Sequence, residues 1–196
     1  MNKWFAPITL ENEHVRLSPL AKDHRDDLLK AASDGQLWEL WYTSVPDEST
    51  IDSFIAKALE EYQEDVSCPF VVFDKKSSRI VGSTRYMNAV QVNRRLEIGH
   101  TWYAKSVHRT PVNASCKLLL LEYAFEQLNC IAVEFRTHWH NHQSRRAIAR
   151  LGAKQDGVLR NHKIDKEGIL RDTVVFSILN SEWESVKRGL QLRLSR

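Results

Sequence analysis

The chain's 196 residues are enough to bury one substantial core and few for two, so one domain over residues 1–196 is expected. Its 42% hydrophobic and 27% charged residues are the composition of a globular protein and exclude disordered and fibrous classes, while a net charge of only +3 exerts no strong pull toward nucleic acid. No apolar run reaches the about 20 residues of a membrane-spanning helix, and Met1-Asn2-Lys3-Trp4-Phe5-Ala6-Pro7 lacks the apolar stretch of a signal peptide, so a cytoplasmic location without a membrane partner is expected.

His14 to Leu20 alternates like an edge or half-buried strand, with Pro19 near its end where a missing donor is tolerated. A helix is expected from about Asp23 to Ser33, and Trp38 to Tyr42 reads as a partly buried connector. Ile51, Phe54, Ile55, Ala58, Leu59 and Tyr62 recur at helical spacing behind a Ser49-Thr50 cap. Phe70 to Phe73 and Arg79 to Met87 read as a hairpin around the charged turn 74–78. In the next strand strict alternation puts Leu96, Ile98 and Trp102 on one face and Glu97, Thr101 and Tyr103 on the other.

Asn113 then caps an expected helix whose stripe is Leu118, Leu121, Phe125 and Leu128, widened by Leu120 and Ala124. Ile131, Val133 and Phe135 alternate in a strand, and Asn141 opens a helix that turns Ala147, Ile148 and Leu151 inward and ends at Gly152. Strands over about Lys154 to Ile164 and Leu170 to Leu179 are joined by the turn Asp165-Lys166-Glu167-Gly168. Ser181-x-x-Glu184 is a capping box for a last helix with Trp183, Val186 and Leu190 inward. The order is strand, two helices, three strands, helix, strand, helix, two strands, helix: a mixed α/β domain without repeats or linkers.

Cys68, Cys116 and Cys130 are odd in number and lack Cys-x-x-Cys spacing, so they read as reduced core thiols. Arg145-Arg146, Arg150, Arg160, Lys187-Arg188, Arg193 and Arg196 concentrate positive charge in the last third, as a solvated surface or as a place for an anion. His138, His140 and His142 alternate but have no second ligand cluster at recognisable spacing, and no metal site is expected.

Two segments carry chemistry. The junction from Tyr103 to Asn113 is a loop opening a helix, where free N–H groups and the helix dipole favour phosphate, and Arg109 and Lys117 add charge; the plain alternative is a connection satisfied by its Asn cap. There is no Gly-x-x-x-x-Gly-Lys-Ser/Thr and no Gly-x-Gly-x-x-Gly, which excludes the usual nucleotide and dinucleotide loops. The second segment is Thr137 and Asn141-x-x-Ser144-x-x-Ala147-Ile148-x-x-Leu151-Gly152-Ala153, followed by Gly157-Val158-Leu159-Arg160. It resembles the second CoA motif of the GNAT acetyltransferase superfamily. From Val15-Arg16-Leu17 through Gly82-Ser83-Thr84-Arg85-Tyr86, Glu97-Ile98-Gly99 and Arg171-Asp172 to Ser177-Ile178-Leu179, the chain resembles the branch containing the ribosomal-protein N-terminal acetyltransferases.

The resemblance implies an α/β (α+β) fold, with a mixed, mostly antiparallel central sheet, splayed central strands and flanking helices. It implies acetyl-CoA as cosubstrate, an amine acceptor, no metal, and transfer by direct attack of the amine; a homodimer is compatible with it. By position, Gly99 suits the strand bulge, and backbone groups of Trp102 and Tyr103 pair with pantetheine, one N–H holding the thioester oxygen. His108, Arg109, Thr110, Val112, Asn113 and Lys117 surround the pyrophosphate, Asn141 meets the pantetheine arm with Arg145 beside it, and Ser144 lies where a hydroxyl protonates the leaving thiolate. Taken as residues alone, Asn141 and Ser144 are a helix cap and a first-turn residue. Pro111 departs from the family loop and removes a donor.

Glu97 is one base candidate, with an ion pair to Arg85 or Arg95 as its plain alternative; His162, with an ordinary pKa of about 6.5, is the other, with a surface position as its alternative. The acidic residues Asp47, Glu48, Glu60, Glu61, Glu64 and Asp65 would attract a cationic acceptor or form a solvated helix face. The alternative function is a non-catalytic acyl-CoA-binding sensor that keeps the fold.

Overall fold

The computed structural model describes residues 3–165 and 167–195, so Met1 and Asn2, Lys166 of the expected turn and Arg196 of the basic tail lie outside the described residues. Its elements are β1 (Leu10–Glu11), β2 (Val15–Pro19), α1 (Arg25–Ser33), α2 (Ile51–Gln63), β3 (Cys68–Asp74), β4 (Arg79–Val90), β5 (Arg95–Tyr103), α3 (Val112–Glu122), β6 (Ala132–His138), α4 (His142–Ala149), β7 (Lys154–Ile164), β8 (Leu170–Leu179) and α5 (Trp183–Leu194). They follow the order read from the sequence, with the short β1 added outside β2. The eight strands form one sheet ordered β1-β2-β3-β4-β5-β6-β8-β7. Every pairing is antiparallel except β5 with β6, which run parallel.

The apolar stripes lie where periodicity placed them on α2, where Ile51, Ile55 and Ala58 are buried, and on α5, where Trp183, Val186 and Leu190 are buried. Helix α3 buries Leu120, Leu121, Ala124 and Phe125 of its expected stripe, but Leu118 and Leu128 are only half-buried, and Val112, Ser115, Cys116 and Leu119 are buried as well; a π-helical turn over Tyr123–Gln127 follows the helix. The connector is partly buried, as expected: Trp38 packs against the core and Tyr42 is half-buried, while Trp41 is 59% exposed.

Caps also shift. Asp47, not the Ser49-Thr50 pair, organises the start of α2, its Oδ1 accepting the N–H groups of Ser49 and Thr50 at 3.0 Å each. At α5 the back-bond comes from Glu182 rather than Glu184, its Oε2 accepting the Leu179 N–H at 3.0 Å. No helix among the described residues is long and apolar enough to cross a membrane.

Two irregularities position the centre of the sheet. Arg85 faces Gly99 and Ser83 faces Trp102, so β5 spends one more residue than β4 over this interval. The extra residue is His100, in the left-handed region at φ 45°, whereas Gly99 stays in the ladder; a Cβ on Gly99 would meet Met87 Sδ at 2.4 Å. The bulge therefore sits beside the expected glycine, not on it. An extra residue inverts the faces downstream. Glu97 lies on the side away from α3, but Thr101 joins Ile98 on the α3 side, its Oγ1 accepting from Lys117 Nζ at 2.9 Å, and Trp102 moves to the side away from α3. The second irregularity is the β5–β6 pairing, which holds only Arg95 to Ala132, Leu96 to Val133 and Glu97 to Glu134. Beyond this last rung β6 stays with β8 to His138 and β5 stays with β4 to Tyr103, so the two central strands diverge.

Gly82 closes the β4 side of that divergence. A Cβ there would lie 2.1 Å from the carbonyl oxygen of Trp102, against backbone that has no flexible end to yield. Gly82→Ala is expected to destabilise the protein by about 1–3 kcal/mol, measured by urea denaturation, through overpacking.

Candidate active site

The candidate site is the gap between β5 and β6 with the elements that lead into it. In the β4–β5 ladder the Ala104 N–H donates to Val81 O at 2.7 Å while Tyr103 faces Gly82, so Tyr103 is in a pair that exchanges no hydrogen bonds. Its N–H and C=O point into the gap, whereas those of Trp102 point toward β4. Of the two residues expected to pair with pantetheine, the register offers Tyr103.

The loop after β5 is held from below. Asp34, at the end of α1, accepts from the Ser106 hydroxyl at 2.5 Å, its own carbonyl accepts the Lys105 N–H at 2.9 Å, and Arg79 donates to Ser106 Oγ at 2.7 Å. His108 folds back, its Nε2–H donating to Tyr103 O at 3.0 Å. Arg109 is left-handed at φ 63°, and Thr110 Oγ1 donates to Val107 O at 2.7 Å while lying 3.4 Å from the Val112 N–H. Asn113 is not the cap of α3: Pro111 occupies that position, with φ −60° and no side-chain acceptor, and Asn113 stands in the first turn. A proline cap gives up its own donor but leaves the N–H groups of Asn113 and Ala114 without a protein acceptor among the described residues. Those amides and the positive end of the helix can hold an anion. Lys117 does not join them: it is 5% exposed and points beneath β5 to Thr101.

On the other arm, Asn141 caps α4, its Oδ1 accepting the Ser144 N–H at 2.9 Å, and Ser144 is half-buried in the first turn. Arg145 stacks its guanidinium 4.3 Å over the Trp139 ring and donates to Trp139 O at 3.2 Å.

Glu97 stands on the last rung before the strands part. It is 6% exposed, and burial pushes its carboxyl pKa above the ordinary carboxylate value, against the lowering pull of the Asn88 amide and Arg136. Neither expected ion pair forms, since Arg85 goes to Glu61 at 3.1 Å and Arg95 to Glu134 at 2.6 Å. Glu97 Oε2 accepts from Asn88 Nδ2 at 2.8 Å, with Arg136 Nε at 3.5 Å; Arg136 is closer to Glu134, at 2.9 Å. Asn88 reaches Glu97 because a second bulge in β4 sets it at φ 48°. In front of Glu97 is a cavity of about 250 Å3 that Asn88, Arg95, Glu134 and Arg136 also line.

His162, on β7, is half-buried, with Nδ1 3.0 Å from Thr173 Oγ1; desolvation, with Lys163, Arg136 and Arg171 nearby, lowers its pKa. The alternating histidines form an aromatic run: His138 lies edge-on to Trp41 with centroids 5.0 Å apart, and its Nδ1 accepts the His140 N–H at 3.0 Å. Among the described residues no three His, Cys, Asp or Glu side chains gather in a way that could hold a metal ion.

The acidic stretch is largely occupied. Glu48 and Asp52 bind Arg25 at 2.7 and 3.0 Å, Asp47 starts α2, Glu61 binds Arg85, and Asp65 accepts the N–H groups of Trp4 and Phe5 at 2.7 and 3.0 Å. Glu60 and Glu64 stay exposed, so the stretch keeps part of its charge at the surface.

A family model described as acetyltransferase (GNAT) domain matches residues 14–154. The chain belongs to the GNAT acetyltransferase family. YdaF of Bacillus subtilis (strain 168), which carries the provisional name ribosomal N-acetyltransferase, is 34% identical over 109 residues; the match covers 55% of this chain and only 58% of that relative. The crystal structure of a GCN5-related N-acetyltransferase from Brucella melitensis superposes with a TM-score of 0.85 at 30% identity, covering 96% of this chain and 86% of that one. RimJ of Mycobacterium smegmatis, solved with CoA-disulfide, shares the fold with a TM-score of 0.79 at 19% identity, covering 95% of each chain. GNAT enzymes use acetyl-CoA, and the opened β5–β6 pair of this chain is in keeping with a GNAT sheet.

Asn88, Glu134 and Arg136 around Glu97, and Asp34 under the loop, were not singled out from sequence. A bulge residue and a helix-end aspartate leave no periodic signal, and their partners are as many as 72 positions away. Asn141→Ala is expected to cost about 1 kcal/mol of stability in urea titration by removing the acceptor of the Ser144 N–H.

Proposed function

We propose that this GNAT protein transfers the acetyl group of acetyl-CoA directly to an amine, either a protein N terminus or a small-molecule amine. The observation that carries the reading is the position of Glu97, a buried carboxylate with a raised pKa on the last rung joining β5 to β6, between the gap and a cavity on the far face.

In this reading the pantetheine arm lies in the gap, where Tyr103 N–H is turned to receive the thioester carbonyl oxygen as it becomes negative. The turn from His108 to Val112 and the first-turn amides of α3 take the diphosphate, Asn141 borders the arm, and Ser144 Oγ is the proton source for the thiolate. The acceptor enters from the cavity side. Glu97 accepts its proton directly or through a water, the nitrogen lone pair attacks the carbonyl carbon, and the C–S bond breaks to release CoA. A carboxyl whose pKa is raised toward the working pH suits this better than an ordinary one, because proton affinity and availability are then better balanced. His162 is the weaker candidate, since its environment lowers its proton affinity. The name of YdaF makes N-terminal peptides of ribosomal proteins the first acceptors to try.

CoA release is to be measured with acetyl-CoA and a panel of N-terminal peptides and small amines. Glu97→Gln is expected to lower kcat about 10²–10⁴-fold with CoA affinity unchanged. In the wild type the acid limb of kcat should fall above pH 4.5, the ordinary value for this group, because a base is lost when pH drops through its raised pKa; the variant should lose that limb. A protein that binds CoA but releases none with any amine would be an acyl-CoA sensor, and the proposal would fail.

A further inference from the structure

Helix α3 buries a lysine that the proposed reaction does not use. Lys117 is 5% exposed, and its Nζ donates to Thr101 Oγ1 at 2.9 Å, a hydroxyl that shares a second hydrogen bond of 2.7 Å with Thr84 Oγ1. The same Nζ stands 5.8 Å from the centroid of the Phe135 ring. Thr101 is on β5 past the last rung at Glu97, and Phe135 is on β6 past Glu134, so the amine lies beside one residue from each arm of the gap where the arms have separated. Its polar contact is a neutral hydroxyl rather than a carboxylate, and a desolvated ammonium without a counter-charge gives up its proton readily. Burial accordingly brings the Lys117 pKa down to about 8, which leaves part of the population as the neutral, nucleophilic amine near neutral pH.

We propose that Lys117 is a self-acetylation site, the chain's own amine accepting the acetyl group of a thioester held between β5 and β6. This rests on the acetyl-CoA reading above. The Nζ lone pair attacks the thioester carbonyl carbon, the C–S bond breaks, CoA departs as the thiolate, and the proton shed by the new amide nitrogen goes to that sulfur. The products are N-acetyl-lysine and CoA thiol. The exchange replaces an uncompensated buried charge with a neutral amide that can still donate to Thr101. It also places an acyl group on the floor of the gap, so the modified protein should turn over acceptor amines more slowly.

The test is incubation of the full chain with acetyl-CoA and no acceptor, followed by mass-spectrometric peptide mapping, with CoA binding measured by calorimetry on the same preparation. Lys117 is expected to gain one acetyl group at least about tenfold faster than the average exposed lysine, because the thioester is held beside it. The rate should be independent of protein concentration, as for an intramolecular step. Prior denaturation should abolish the preference, which separates a site made by the fold from a reactive sequence. Lys117→Met should remove that peptide's label while keeping CoA binding. A preparation that binds CoA yet leaves Lys117 unmodified, or labels it no faster than surface lysines, would overturn the proposal. Failure to bind CoA at all would overturn the acetyl-CoA reading and this inference with it.

Discussion

One added residue in β5 governs the centre of this molecule. His100 takes a left-handed conformation between Gly99 and Thr101, and from that point the strand presents the opposite side chains to each face. Without the bulge, Thr101 would share a face with Glu97, and Lys117 would lose its acceptor. With it, β5 stays bonded to β4 up to Tyr103 while it leaves β6 after Glu97, and the sheet opens without unravelling at either edge. The strain of a non-glycine residue at positive φ, of order 1–3 kcal/mol, is sustained because β4 pairs with β5 on both sides of the bulge.

The surrounding charges are sorted so that the groups at the opening keep few partners. Two arginines go to Glu134 and another to Glu61, which leaves Glu97 with an amide and a distant guanidinium. The loop into α3 follows the same logic in backbone: Asp34 and Arg79 fix its base, His108 and Thr110 tie it to itself, and the proline cap provides no side-chain acceptor for the first-turn amides. Firm supports hold lightly committed groups, the arrangement that lets a site meet a ligand without first breaking its own bonds.

Element order, strand boundaries and the stripes of α2 and α5 were legible because burial on one face imposes a period, and the α4 start was legible because Asn141 caps it locally. The family resemblance lay in short segments spread from Val15 to Leu179, and the match to residues 14–154 spans them up to the start of β7. What could not be read was whatever breaks a period. Alternation put Trp102 with Ile98, and the bulge separated them; helical spacing put Leu118 inside, and the helix buries Leu119 beside the expected Leu120 and Leu121 instead. Long-range polar pairing was equally hidden. Nothing in the neighbourhood of Glu97 in sequence says that Arg95 will turn to Glu134, and a lysine five positions into a helix behind a phosphate-type loop reads as a charge for the phosphate until its face is known.

The two ionisable groups flanking the opening are displaced in opposite directions by one cause. Glu97 on one face of the sheet is pushed up and Lys117 on the other is pushed down, and in both burial is the largest contribution. Each therefore moves toward its uncharged form, and each lies beside the place where the strands stop bonding to one another. A gap between parallel strands leaves backbone groups needing partners, and it can stay compact only if its lining does not draw in water strongly. Fixed charges there would hydrate the opening, whereas groups shifted toward their uncharged forms draw in less water. The same desolvation thus shifts an acid on one face and an amine on the other toward their uncharged forms, and both shifts follow from how the sheet is opened.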